Sequence, residues 1–304
     1  MLVLRLMEAG IDFGLSVTDA VTVSGSKVKA HRSLHRPGPA SVDLLDRLLG
    51  ALSVSPGTLS AIAVSGGRSR ELPEQHAGVP IVQVDEPSAA GRGGLALSGL
   101  GRGLVVSCGT GTAMILADAG SRSYRHVTGT PVGGGTLEGL ASRLIGLRNA
   151  FEVAELALSG RASAVDTTLG DVLGGGVGNL PPSATAVSLG RLAGLEQDPS
   201  REDLAASLTT MVSQTIALIA LNAAMAHAME DVVFVGRMAR LAAVRGMIEA
   251  VFRVYRFPTA PVFPEGAELA TAYGAALAIH GAASHATDLD NAAILEELRE
   301  RFER

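Results

Sequence analysis

Lysine is almost missing from this chain: it occurs only at Lys27 and Lys29, and arginine carries the rest of the positive charge. We read that as coding bias rather than function. The 25 Lys and Arg are outnumbered by 30 Asp and Glu, a formal net charge of −5. A nucleic-acid surface wants a basic face, and this balance gives no sign of one. Cysteine is reduced to Cys108. That excludes an internal disulfide framework and any cysteine-only metal or iron–sulfur site within one chain. The seven histidines show no metal-ligand spacing. The opening Met1-Leu2-Val3-Leu4-Arg5 is too short and too quickly charged for a signal peptide. The most apolar later run, residues 211–229, is interrupted by Gln214, Asn222 and His227, so a buried helix is expected there rather than a membrane span. The expectation is a soluble cytoplasmic protein with neither nucleic acid nor membrane as partner.

What the chain has is core and glycine. Of 304 residues, 47% are hydrophobic against 18% charged, enough for one large domain or two medium ones. Three glycine-rich turns stand out: Gly10-Ile11-Asp12-Phe13-Gly14-Leu15-Ser16, Cys108-Gly109-Thr110-Gly111-Thr112, and Thr128-Gly129-Thr130-Pro131-Val132-Gly133-Gly134-Gly135-Thr136. Glycine permits positive φ and brings backbone N–H groups close to an anion, while Ser or Thr adds a hydroxyl donor. The first two turns each sit between apolar strands, about a hundred residues apart. That spacing suggests two lobes closing on a polyphosphate.

The periodicity predicts strands over 7–12, 20–24 and 27–34, and a helix over 42–52 capped by Ser41. A strand over 61–64, helical stretches around 69–75 and from Pro87 to about Leu97, and a strand over 81–84 follow. From Leu104 the outline repeats, with strands at 104–107 and 113–117 around the second turn. Helices are expected over 137–147, 151–159, 185–194, 201–229 and 244–254, a strand over 231–235, loop over 165–180, and a last core element over 270–279. The predicted division is an N-terminal ribonuclease H-like lobe, 1–100, a second such lobe, 101–284, and a charged tail, 285–304. The fold class is α/β: a two-lobed actin-like ATPase (ribonuclease H-like) fold with duplicated mixed sheets and flanking helices.

These turns, in this strand–helix order, resemble the actin, hexokinase and Hsp70 ATPase superfamily, and within it the type II (eukaryotic-like) pantothenate kinases. The resemblance runs from Gly10 to about Gly281. Its most specific piece is Val127-Thr128-Gly129-Thr130 followed by Gly133-Gly134-Gly135-Thr136 and Gly139-Leu140. It implies an ATP- and Mg²⁺-dependent kinase acting on the primary hydroxyl of pantothenate, the first step of coenzyme A biosynthesis, and a homodimer formed through the long 201–229 helix or its neighbours. Asp12 would lie near the Mg²⁺–phosphate cluster, as a carboxylate suits that hard cation. Gly14, Ser16, Gly109, Thr110, Gly111, Thr112, Gly133, Gly134, Gly135 and Thr136 would hold phosphate or ribose, with Gly236 in the adenosine pocket. Glu86 matches the general base, its carboxylate expected at a strand end facing the cleft; Asp85 is its rival.

Two departures matter. The bacterial relatives carry Lys where this chain has Asp19, and a carboxylate there would repel triphosphate. Phosphate binding then rests on the other turns, on an arginine, or is weak. The family arginine before Val-Thr-Gly-Thr is His126 here, with Arg125 one residue earlier, so either could be the charge stabiliser. The same fold also admits a kinase of another small alcohol or sugar, or a non-catalytic nucleotide or coenzyme A sensor. An activase of a radical dehydratase is a further reading, poorly served by a single Cys108 on a predicted strand.

Overall fold

The structure is a computed structural model, and it describes residues 7–35 and 38–280. The predicted 285–304 tail lies outside the described residues. The chain opens with β1 (Met7–Phe13), β2 (Val17–Ser24) and β3 (Lys27–His35), then α1 (Val42–Ala51), β4 (Leu59–Ser65), β5 (Gln75–His76), β6 (Val79–Gln83) and α2 (Glu86–Ser98). It continues with β7 (Arg102–Cys108), β8 (Thr112–Asp118), β9 (Ser123–Thr130), α3 (Gly134–Leu144) and α4 (Ala150–Ala157). Next come β10 (Thr167–Thr168), α5 (Leu169–Leu173), β11 (Thr185–Val187), α6 (Arg201–Ala226), β12 (Val232–Val235), α7 (Ala242–Val254) and α8 (Ala270–Ile279).

Two compact units emerge. Unit 1 takes the described residues up to Arg102, then Ile115–Arg125, then those from Glu268 on; unit 2 takes Gly103–Met114 and His126–Ala267. Sequence reading cuts the chain into continuous stretches at residue 100, whereas these units are discontinuous. The last segment of unit 1 joins it because α8 returns to pack on the first sheet.

In unit 1 the strand order is β3-β2-β1-β4-β6-β5. β1, β2 and β3 form an antiparallel meander, and β1, β4 and β6 run parallel. Strand side chains alternate faces. Ala9, Ile11 and Phe13 of β1 join Ile62 and Val64 of β4 on the face covered by Leu44, Leu45, Leu48 and Leu49 of α1. Ser41 caps that helix, its Oγ accepting from the Leu44 N–H at 3.2 Å. The other face belongs to α2 and α8: Ala61, Ala63, Val82 and Val84 meet Ala89, Ala275 and Ile279, while Val21 and Val23 meet Ala272, Tyr273 and Ala276. Contact there is backbone-close. A methyl added at Gly93 of α2 would collide with the Ala270 carbonyl, and one at Gly274 of α8 with that of Ala89.

The second sheet has the order β12-β7-β8-β9, with β12 and β7 parallel. It repeats the plan of the first: three consecutive strands, then a later parallel strand beside the first of them. In unit 2, Phe234 of β12 stacks on Phe263 and meets Phe252 of α7 edge-on. By length and apolarity α6 could pass for a membrane span, yet 67% of its most apolar window is buried, as expected for a core helix. Its Leu204, Leu208, Val212, Ile216 and Leu221 are all among the buried residues.

Three local expectations fail. The stretch expected as loop over 165–180 contains β10 and α5. Residues 69–75 form a short 3₁₀ turn and β5, not a helix. Residues 185–194 form β11 and a 3₁₀ turn. Helical spacing loses there to a buried anchor. Asp166, 0% exposed, accepts from Thr185 Oγ1 at 2.8 Å and from the Leu189 N–H at 2.9 Å, and Ser207 Oγ of α6 also donates to it. A buried charge must be satisfied, and these bonds pin the segment in a non-helical course.

Candidate active site

In unit 2 the second and third glycine turns are one hydrogen-bonded knot. The Gly134 N–H donates to the Gly109 carbonyl and the Gly135 N–H to that of Thr110, both at 2.9 Å. Thr112 Oγ1 donates to the Val132 carbonyl at 2.9 Å, and Thr136 Oγ1 to that of Pro131 at 3.2 Å. The approach admits no side chain at Gly133, where a Cβ would stand 2.7 Å from the Thr110 carbonyl oxygen. Gly236 closes the knot at the end of β12 with φ +88°, and a Cβ there would collide with the Cys108 carbonyl oxygen. The expected amides are therefore partly spent. Those of Gly134 and Gly135 hold the second turn, and the Gly133 N–H donates to Thr136 Oγ1 at 3.3 Å. Gly109, Thr110, Gly111, Thr112, Gly133, Gly134, Gly135, Thr136 and Gly236 all meet in this one feature.

In unit 1, Asp12 is half-buried near the end of β1, with Gly14 and Ser16 in the turn that follows. Asp19 is not presented to solvent: it is 2% exposed, accepts a hydrogen bond from Ser33 Oγ, and stands directly across the strand pair from Asp12. Residues so placed have Cβ atoms about 5 Å apart. A cation placed between two such carboxylates is attracted by both. On the other side of Asp12, Ser65 of β4 is its register partner. Gly66 follows with φ +89°, and a Cβ there would stand 3.1 Å from Asp12 Oδ1. Sequence reading passes over Ser65 and Gly66 as site residues, although a hydroxyl residue ending a buried strand before Gly-Gly was a visible signal.

At the start of α2 the two rival carboxylates separate. Asp85 is the N-cap, its Oδ1 accepting from the Ser88 N–H at 2.9 Å. Glu86 is the first helical residue and is exposed, with no capping bond to make. Arg125 and His126 are both exposed on β9, in unit 1 and unit 2 respectively, and as consecutive strand residues they point to opposite faces. Cys108 is fully buried, and burial pushes its thiol up to about 12, so it remains a neutral core residue. Among the described residues no group of three or more His, Cys, Asp or Glu could hold a metal. A hard cation such as Mg²⁺ needs fewer protein ligands, because it keeps waters and takes phosphate oxygens, and Asp12 with Asp19 fits that pattern.

The duplicated mixed sheets, each with a glycine turn between its first two strands, define the actin-like ATPase fold. Solved structures agree. An activator of 2-hydroxyisocaproyl-CoA dehydratase from Clostridium difficile, with bound ADPNP, matches with a TM-score of 0.68 at 17% identity, over 94% of this chain and 99% of that one. A ROK family glucokinase from Streptomyces griseus, in complex with glucose and AMPPNP, matches at 0.55 and 16%, over 89% and 98%. Within that fold, the chain belongs to the Fumble family, whose model matches residues 103–255. It is 28% identical over 133 residues to a type II pantothenate kinase of one Bacillus cereus strain, covering 44% of this chain and 48% of that protein. A type II pantothenate kinase from another B. cereus strain is 26% identical over 184 residues, 59% of this chain and 67% of that one. A mouse 4'-phosphopantetheine phosphatase is 32% identical over 135 residues, 44% of this chain and 16% of that protein. The chain thus matches about half the length of the first of these kinases.

Proposed function

We propose that this protein is an ATP-dependent kinase that phosphorylates the primary hydroxyl of pantothenate, opening coenzyme A biosynthesis. The observation that carries the reading is the knot of Gly109–Thr112 with Gly133–Thr136, which lies inside the stretch matched by the Fumble family. Its relatives in B. cereus are type II pantothenate kinases.

Phosphoryl transfer is catalysed mainly by positioning and charge stabilisation. In this reading the glycine turns of unit 2 hold the nucleotide, with Gly236 beside the adenosine, and Gly14 and Ser16 are phosphate contacts. Glu86 takes the proton of the pantothenate hydroxyl as its oxygen attacks the γ-phosphate. A helix-terminal carboxylate relieved of capping suits that work, since Asp85 already satisfies the Ser88 N–H. Arg125 or His126 stabilises charge on the transferring group. Mg²⁺, held at Asp12, supplies charge neutralisation of the phosphates. A homodimer in the cytoplasm completes the proposal. Purified protein is expected to release ADP from ATP and Mg²⁺ only when pantothenate is added; ADP release driven equally by an unrelated alcohol or sugar would reassign the acceptor.

A second reading, a non-catalytic nucleotide or coenzyme A sensor, draws on Asp19, which puts a carboxylate where the bacterial kinases carry lysine. ATP binding without turnover on any acceptor would favour it.

A further inference from the structure

Four polar residues stand in one row across the first sheet. Ser33 of β3 pairs with Asp19 of β2, Asp19 with Asp12 of β1, and Asp12 with Ser65 of β4. Alternation puts the row on one face. Ile11, Phe13, Ala20 and Val64, their chain neighbours, all belong to the core beneath α1, so Asp12, Asp19 and Ser65 point the other way. The row lies at the C-terminal ends of the parallel strands β1 and β4. In α/β sheets that edge is where ligands are held.

Ser65 is the informative member. It is 0% exposed, and its Oγ has no hydrogen-bond partner. Buried hydroxyls are nearly always satisfied, so this one points to a group that completes the site. Its neighbour in the row is Asp12, and beyond that Asp19, two carboxylates in register. A donor side chain is already supplied to Asp19 by Ser33. Two adjacent carboxylates and one unfilled hydroxyl make an oxygen-rich set of the kind a hydrated cation takes. A divalent cation with its hydration shell fits it, because Mg²⁺ and Mn²⁺ prefer oxygen ligands and retain waters.

We propose that Asp19 is the second carboxylate of a divalent-cation site centred on Asp12, with the Ser65 hydroxyl holding one of the cation's waters. This deepens the kinase reading and rests on its placing of the metal at Asp12. It also changes the order of events. Two carboxylates and a hydroxyl-held water retain M²⁺ with no phosphate oxygen among its ligands. The cation therefore binds first and without nucleotide. A lysine at position 19 would remove the second carboxylate.

The test is Mn²⁺ alone, titrated into the full-length protein without nucleotide and followed by the electron paramagnetic resonance of free Mn²⁺. One ion per chain is expected. Asp19→Asn should weaken it at least tenfold and Ser65→Ala by about tenfold, the usual scale for a group orienting a metal's shell. Circular dichroism checks that each variant is folded. If Asp19→Asn fails to fold, Ser33→Ala, which releases Asp19 without removing its charge, should still weaken Mn²⁺ binding. Wild-type protein that binds no Mn²⁺, or an Asp19→Asn variant that binds it undiminished, overturns the proposal. Mn²⁺ binding that responds to these variants, in a protein inert toward pantothenate, would leave the metal site standing and remove the kinase reading alone.

Discussion

Asp85 Oδ1 receives the Ser88 N–H at 2.9 Å, and that one bond separates two adjacent carboxylates by role. The cap is Asp85; Glu86 beside it is left exposed at the first turn of α2. Asp85→Ala should lower stability by about 1 kcal/mol, the ordinary cost of losing an N-cap. Glu86→Gln should change stability by less than about 1 kcal/mol, the scale of a helix-dipole contribution. Its kcat should nonetheless fall about 10²- to 10⁴-fold, as for removal of a general base. Urea unfolding and steady-state kinetics on the same two variants check this, and a large kinetic loss from Asp85→Ala with none from Glu86→Gln would reverse the assignment.

Gly236 is a structural requirement of the paired glycine turns of unit 2. Its φ of +88° and the Cys108 carbonyl behind it forbid a side chain. Gly236→Ala should cost on the order of 2–4 kcal/mol, through backbone strain and collision together. Gly139 on α3 makes the control: a methyl there meets nothing within 4 Å. Gly139→Ala should stabilise the protein by about 0.5–1 kcal/mol through helix propensity. Chemical denaturation of both variants reads the difference.

The Asp171 carboxyl is held down to about 2, first by the Arg191 guanidinium at 2.6 Å and then by the backbone and hydroxyl of Thr168. Its folded value lies below the unfolded one of about 3.9, so its contribution is complete above roughly pH 4 and fades as the pH falls toward 2. Asp171→Asn should therefore be less stable than wild type at pH 6, with the gap closing between about pH 4 and pH 2. Thermal unfolding across that range tests it; a gap that stays constant would show that the carboxylate charge plays no part.

Cys108 carries the opposite sign. Burial raises its thiol to about 12, above the unfolded value of about 8.5. Stability tied to it is intact below about pH 8.5 and is lost as the pH climbs toward 12. At pH 8 the native protein should leave a thiol reagent unreacted, and the unfolded chain should react with one equivalent. Rapid labelling of the native state would contradict the burial.

What sequence alone could reach was local. Ser41 before an apolar 3.6-residue period gives α1, and the small apolar run over 270–279 marks the last core element, which the structure makes α8. The α/β class follows from the repeated strand–turn–strand unit. What escaped was set by distant partners. Residues 185–194 have helical spacing, but Asp166 captures Thr185 and Leu189. No short-range pattern tells that α8 comes back to lie on Gly10 of β1. Asp19 was readable as a departure from the family, but not as a buried residue facing Asp12, because register depends on how two strands meet.

The central claim is phosphoryl transfer to pantothenate. The most direct measurement is transfer of radiolabelled γ-phosphate from ATP to pantothenate in the presence of Mg²⁺, comparing wild type with Glu86→Gln. The account predicts labelled phosphopantothenate from the wild type and at least a hundredfold less from the variant. Label that remains in ATP with both proteins, although each binds the nucleotide, would contradict it.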